Sequence, residues 1–317
     1  MRFIGIDGGG TKTDAVLCDE NGVVIRRVKG GPSSFTSLKP ADAAANINAV
    51  LEKLLDREGG LDTQLDALFA GVSGAGVGDN VALLRQYLDD MVKNCKCVSN
   101  YNDAINALRS VIPDGDAVSV ISGTGSSVFA CVSDDMQQIG GWGYLLGDEG
   151  SGFDLGRRAL MSALKHIDGR GEATSLTQAC AEKLGKPVNR AIPAIYAGGR
   201  AMIADFSRIL CGEARKGDKV ALKEMKEAVH DLAYAIRNGG ERLNTTVKPV
   251  ATAGSIWKDP FYKDMIQEEL GENYVLHSTD LPPVYGSCVI ALKNAGIKIT
   301  KEIEENFRKS LNEPEEI

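Results

Sequence analysis

The sequence predicts an α/β protein of two domains, and three observations predict it. The chain has 317 residues, a length that suits about two domains. Three apolar runs end in glycine-bearing turns, at Gly8-Gly9-Gly10, Gly123-Thr124-Gly125 and Gly254-Ser255. The first two turns belong to one repeated strand–glycine–strand unit. Its copies, FIGIDGGGTKTDAVLCDEN and VSVISGTGSSVFACVSDD, lie about 115 positions apart and read as an internal duplication.

Strand signals open the chain at 2–7, 12–19 and 23–29, with an Asn21-Gly22 turn between the last two. Residues 40–58 read as a helix that buries Ile47, Val50, Leu51, Leu54 and Leu55 and stops at Gly59-Gly60. A strand follows at 67–72 and ends in Ser73-Gly74. Helices follow at 80–92 and 103–111. The second glycine hairpin occupies 117–135. Helices are then expected near 151–166, 175–184, 200–214 and 219–238. KPVATAGSIW, 248–257, supplies the third strand and its glycine turn. A helix over 285–295 precedes a charged tail, ITKEIEENFRKSLNEPEEI, whose last residues read as solvated. The domains are expected at 1–115 and 116–285, and the segment 286–317 can return to the first.

Composition narrows the function. At 43% hydrophobic and 25% charged residues, the chain is an ordinary globular one. A formal net charge of −7 argues against nucleic acid, whose phosphates need a basic face. No apolar run is long enough to span a membrane. The opening MRFIGIDGGG is a strand with Asp7 in it and not a leader, so the protein is read as cytoplasmic. The seven cysteines are scattered, and Cys95-Lys96-Cys97 lacks the spacing of a metal or redox pair. His166, His230 and His277 stand near no nucleophile.

The glycines carry the chemistry. The first turn joins strand to strand, so neither the dinucleotide fingerprint nor the P-loop fits, because both must open a helix. Glycine lets a ligand approach the backbone, and the N–H groups of such turns form anion sites. Two turns would hold phosphates and the third the rest of a nucleotide. Lys12 either touches a phosphate or stands solvated.

The stretches IGIDGGGTKTD, NDA, ISGTGSS and GGWGYLLGDEGSG together resemble the N-acetylglucosamine kinase family, which is related to the acyl-CoA dehydratase activator ATPases. Both belong to the actin–hexokinase–heat-shock ATPase superfamily. The resemblance runs from end to end. It implies two ribonuclease H-like domains with an active-site cleft between them, ATP and Mg²⁺ as cofactors, and an amino sugar as acceptor. Asp7 would act on the magnesium. Gly8, Gly9, Gly10 and Thr11 match the first phosphate loop, and Ser122, Gly123, Thr124 and Gly125 the second. Gly254 and Ser255 match the adenosine site. Asp103 matches the catalytic base, with Asn102 beside it. Trp142, Gly143 and Asp148 match sugar-site positions, and Ser73 is a further candidate. Ser33 and Ser34 stand where kinase members often carry an asparagine, a departure that leaves N-acetylglucosamine, N-acetylmuramate and glucosamine open as substrates.

Several of these residues also have a plain structural reading. Asp7 can cap its turn, and Asp103 can cap a helix unless Asn102 does so. Phosphoryl transfer nevertheless needs such groups: charge neutralisation, in-line placement and a base to orient the acceptor. An activator ATPase would need thiolates converging on a shared iron–sulfur cluster, and these cysteines show no such arrangement. A sugar-sensing repressor would need a helix-turn-helix ahead of the first strand. A homodimer is expected, although no segment marks its interface.

Overall fold

A computed structural model describes residues 1–311. In chain order the elements are β1 Phe3–Gly8, β2 Thr13–Cys18, β3 Val24–Gly30, α1 Pro40–Leu55, β4 Ala67–Val72, α2 Asn80–Met91, β5 Val98–Tyr101 and α3 Ala104–Val111. Then come β6 Ala117–Ser122, β7 Ser126–Val132, β8 Asp135–Gln138, α4 Gly152–Ile167, α5 Leu176–Leu184, α6 Ile192–Ala204, α7 Ser207–Arg215 and α8 Lys219–Glu241. β9 Lys248–Ala253, α9 Pro260–Leu270, β10 Tyr274–His277, α10 Pro283–Asn294 and α11 Lys301–Ser310 complete the series. The chain forms two compact units, Met1–Asp114 with the segment from Thr279 onward, and Gly115–Ser278.

The first unit holds a sheet ordered β3-β2-β1-β4-β5. β1 pairs antiparallel with β2 and parallel with β4. The second sheet, read as β8-β7-β6-β9-β10, repeats that order, with β6 antiparallel to β7 and parallel to β9. The duplicated sequence unit is thus a duplicated topology. Parallel neighbours end on the same edge of their sheet, which is where ligands of open α/β sheets bind.

Apolar periodicity builds each core. α1 starts on Pro40, whose fixed φ suits a first helical turn. It buries Ile47, Val50, Leu51, Leu54 and Leu55 in the first unit's core. α8 is capped by the Asp218 side chain, which accepts from the Ala221 N–H, and it buries Met225, Val229, Leu232 and Ile236 in the second core. Each such large side chain contributes roughly 1.5–3 kcal/mol.

α10 lies against β1 and α3. The approach requires Gly5, because a Cβ there would meet the Cys288 backbone. The Ser287 hydroxyl donates to the Ile6 carbonyl at 3.0 Å beneath it.

Three parts of the sequence reading need correction. The tail is not merely a charged extension, because 301–310 form α11. Thr300 caps that helix, and its two apolar residues Ile303 and Phe307 are buried, with Phe307 4.7 Å from the Tyr285 ring. The six residues after Leu311, on which the solvated reading fell, lie outside the described residues. The helix expected at 200–214 is two helices, α6 and α7, and α6 begins at Ile192. β5, α9 and β10 had no counterpart in the sequence reading. Among the described residues no helix is long and apolar enough to cross a membrane.

Candidate active site

In the first unit, β1, β4 and β5 deliver Asp7-Gly8, Ser73 and Asn102-Asp103 to one sheet edge. The Ser73 N–H donates to the Gly8 carbonyl at 2.8 Å, and the Ser33 N–H donates to the Gly9 carbonyl at 3.0 Å. The Gly9 N–H donates to the Lys12 carbonyl at 2.9 Å, closing the first glycine turn and leaving Gly10 and Thr11 exposed at its tip.

Two carboxylates share this edge. Asp7 Oδ1 accepts from Asn106 Nδ2 at 2.7 Å. Burial pushes the Asp7 carboxyl up to about 6, against the Asn106 hydrogen bond, with Asp14 adding to the rise and Lys12 opposing it. Asp103 is likewise pushed up to about 6, first by burial and then by the Asp7 charge. Local N–H groups and the Ser73 hydroxyl lower it by less. Asn102, not Asp103, caps α3, because its Oδ1 accepts from the Ala104 N–H at 2.9 Å.

The remaining residues of this cluster play other parts. Lys12 is largely exposed, with Nζ 3.9 Å from Asp14, whose carboxylate is forked by Arg27 at 2.9 and 2.7 Å. Ser33 and Ser34 are buried. Their hydroxyls lie 2.8 Å from Thr13 Oγ1 and 3.0 Å from Thr36 Oγ1, inside the unit.

In the second unit, β6 and β9 bring the other two glycine turns together. The Gly123 N–H donates to the Gly125 carbonyl at 2.8 Å. Gly254 has φ 107°, and a Cβ there would strike the Ser122 backbone, so both its conformation and its contact demand glycine. Beside the turns lies a cavity of about 660 Å³, lined among others by Gly123, Thr124, Arg208, Ser255 and Lys258. That volume is ordinary for a small-molecule site. The first N–H groups of α4 are spent on the second turn, from Gly152 to the Gly123 carbonyl at 2.7 Å and from Phe153 to the Thr124 carbonyl at 3.0 Å.

The loop before α4 is pinned to the hairpin. Ser126 Oγ donates to the Glu149 carbonyl at 2.8 Å, and Ser122 Oγ donates to the Gly150 carbonyl at 3.2 Å. Asp148, at φ 76°, is buried. Its Oδ1 accepts from the Gly143 N–H at 3.2 Å, and its Oδ2 from Arg200 at 2.7 Å. Burial raises the Asp148 carboxyl and Arg200 opposes the rise. Trp142 stands 62% exposed, so its ring face is available.

The sequence reading missed two partners. Asn106 binds both Asp7 and the Gly71 carbonyl (3.0 Å), and Gly71 is required because a Cβ would strike that amide. An interior helical asparagine was its only sign. Arg200 follows Gly198-Gly199, a pair that could have signalled a broken helix.

A family model described as the BadF/BadG/BcrA/BcrD ATPase family matches residues 4–291, and the chain belongs to that family. It is 31% identical over 285 residues to an N-acetylmuramic acid/N-acetylglucosamine kinase of Clostridium acetobutylicum, covering 86% of this chain and 92% of that one. It is 28% identical over 312 residues to an N-acetyl-D-glucosamine kinase of Dictyostelium discoideum, covering 92% and 98%. A solved candidate N-acetylglucosamine kinase from Chromobacterium violaceum superposes with a TM-score of 0.66 at 25% identity, over 92% of this chain and 98% of that one. A ROK family glucokinase from Streptomyces griseus, solved with glucose and AMPPNP, shares the fold with a TM-score of 0.54 at 16% identity, over 92% and 100%. The chain has the two-domain α/β fold of these sugar kinases.

Proposed function

We propose that the protein is an ATP-dependent kinase that phosphorylates the 6-hydroxyl of an N-acetylated amino sugar, N-acetylglucosamine first. One observation carries the reading: β1, β4 and β5 bring Asp103, whose side chain makes no cap hydrogen bond to α3, to the sheet edge it shares with Asp7 and the first glycine turn, where burial lifts its carboxyl to about 6. A base poised near neutral pH is what proton removal from a hydroxyl requires.

In this reading Asp103 accepts the hydrogen bond of the 6-hydroxyl and takes its proton. The sugar oxygen forms a bond to the γ-phosphorus, and the bond from that phosphorus to the β,γ-bridging oxygen breaks, leaving ADP. The Ser73 hydroxyl and Asn102 line the acceptor side. The ring face of Trp142, the Gly143 backbone and the Asp148 carboxylate suit a sugar. N–H groups of Gly8 to Thr11 and of Ser122 to Gly125 neutralise phosphate oxygens, with Lys12 beside the first turn. Gly254 and Ser255 would meet the adenosine, Ser255 from the wall of the cavity. Ser33 and Ser34, buried behind the first glycine turn, act by shaping that turn from within the first unit.

Magnesium fits the first cluster. Asp7 is a buried carboxyl held up to about 6 with only a carboxamide and a distant lysine to offset it, so it is short of positive charge. Mg²⁺ is commonly held by one or two carboxylates plus phosphate oxygens, and Asp7 with the nucleotide would hold it. Bound there, it neutralises the phosphate chain.

N-acetylmuramate is the second substrate reading, favoured by the name of the Clostridium relative. Glucosamine is more distant, entering through a glucosamine kinase of Vibrio cholerae at 22% identity. A partner-driving ATPase is the remaining alternative. A cytoplasmic homodimer belongs to the same proposal, and light scattering reads the dimer. The test is Mg-ATP turnover in a coupled ADP assay with N-acetylglucosamine, N-acetylmuramate, glucosamine and glucose. Sugar-dependent ADP release is expected. Release that no sugar raises above background would overturn the kinase and favour the partner-driving ATPase.

A further inference from the structure

Helix α6 is interrupted at Gly199, whose φ of 60° and ψ of −153° lie in a region open essentially to glycine. Such outliers persist where the surrounding structure insists on them, and they gather at functional sites. Arg200 is the next residue. Its guanidinium donates from Nη2 to Asp148 Oδ2 at 2.7 Å and lies over the Tyr144 ring, 5.5 Å from the centroid.

The pair is lopsided. The Asp148 side chain is 4% exposed and that of Arg200 41%. A guanidinium carries five donors in a fixed fork, well matched to phosphate oxygens. One hydrogen bond of the fork goes to Asp148, and Arg200 is the exposed member of the pair.

The guanidinium also covers the second glycine turn. A Cβ on Gly125 would strike Arg200 Nη2, and it would come within 2.7 Å of Asp148 Oδ2. The neighbours of Gly125 in that turn, Gly123 and Thr124, line the cavity, and so do Ala201, Met202 and Ala204 immediately after Arg200. A cation paired with a buried carboxylate therefore stands against Gly125 of the glycine turn. No other element of the reaction as derived above accounts for it.

We propose that Arg200 is a catalytic residue: its guanidinium contacts the phosphate chain of the nucleotide at the second glycine turn and offsets the charge that develops on the transferred phosphoryl group. Asp148 and Tyr144 hold the fork over Gly125 before the nucleotide arrives. Only hydrogen bonds are exchanged, and no proton moves to or from Arg200. When the fork turns to phosphate, Asp148 becomes free to accept a hydroxyl of the acceptor, so nucleotide and acceptor favour each other's binding. The proposal rests on the phosphotransferase reading.

The test compares the parent protein with Arg200→Ala and Arg200→Lys. For Arg200→Ala, kcat is expected to fall by about 10²-fold or more, the range for losing a transition-state donor or an arginine finger. Calorimetric affinity for ADP with aluminium fluoride should fall by a similar factor, while affinity for ADP alone changes by less than about tenfold. Added guanidinium should restore part of the turnover of Arg200→Ala. Arg200→Lys should recover only part of the affinity, because an ammonium lacks the fork, and it serves as the readout if the alanine variant folds poorly.

Two results would overturn the assignment. One is an Arg200→Ala protein with parental kcat and parental affinity for the fluoride complex. The other is a change confined to KM for the sugar and reproduced by Asp148→Asn, which would make Arg200 a mere prop for Asp148. Failure of the kinase reading looks different: the parent then releases no ADP with any sugar. The fluoride-complex affinities of parent and variant still decide whether Arg200 meets phosphate.

Discussion

Replacing Asp103 with asparagine should remove most turnover and also make the protein harder to unfold. The Asp103 carboxyl stands at about 6 in the fold, against an ordinary 3.8. A folded value above the unfolded one means that the favourable contribution is fully present below pH 3.8 and is lost as pH rises through about 6. At pH 7.5 the charged group therefore costs the fold up to roughly 3 kcal/mol. Part of that cost is repulsion shared with Asp7, so it belongs to the pair and not to one residue. The amide carries no charge to desolvate. Asp103→Asn should gain about 1–2 kcal/mol in urea unfolding at pH 7.5, and the gain should shrink at pH 4. In the coupled ADP assay the same variant should lose roughly 10²–10⁴-fold in kcat, the usual worth of a general base. Its sugar affinity by calorimetry should stay within about tenfold of the parent. Turnover close to the parent, or stability at pH 7.5 no greater than the parent's, would refute the assignment of a strained, charged base.

Further predictions follow from neighbouring groups. The parent's kcat/KM should fall along an acid limb near pH 6, as both carboxyls titrate about there; a profile flat down to pH 4.5 would contradict it. Asn106→Ala removes the donor that holds Asp7 down, so the Asp7 carboxyl rises further and the Gly71 carbonyl loses its partner. Denaturation should show a loss of about 1–3 kcal/mol, and half-saturating Mg²⁺ at pH 6.5 should increase. Gly254→Ala forces a side chain onto a backbone with φ 107° against Ser122. It should cost about 1–3 kcal/mol in thermal unfolding, and nucleotide affinity by calorimetry should drop with it.

What the sequence made legible was local. Asp7 with Gly8 to Thr11, and Ser122 to Gly125, sit at the ends of apolar strands, where turn chemistry and periodicity are written in adjacent residues. Asn102 and Asp103 were legible as a capping pair, but which of the two caps was open until the Asn102 side chain was seen to accept from the Ala104 N–H, and the catalytic role of Asp103 came from the family resemblance and not from spacing. What escaped depends on contacts across long separations. Asn106 and Arg200 matter because of Asp7, Gly71 and Asp148, and neither carries a local mark of its partner. α11 escaped because two apolar side chains among charges give a weak pattern, although Phe307 finds Tyr285 in the fold. β5 and β10, four residues each, are too short for periodicity to speak.

The packing of α10 on β1 has a consequence for biosynthesis. The α10 residues that cover β1 leave the ribosome long after β1 itself. Gly115–Ser278 is one continuous stretch and a compact unit in itself, so it can mature while synthesis continues. The apolar face of β1, and the α3 helix that carries Asn106, stay uncovered until α10 emerges. The edge that bears Asp7 and Asp103 is therefore organised only after α10 emerges, and a chain broken off near residue 278 would display β1 to chaperones and proteases instead of to a ligand.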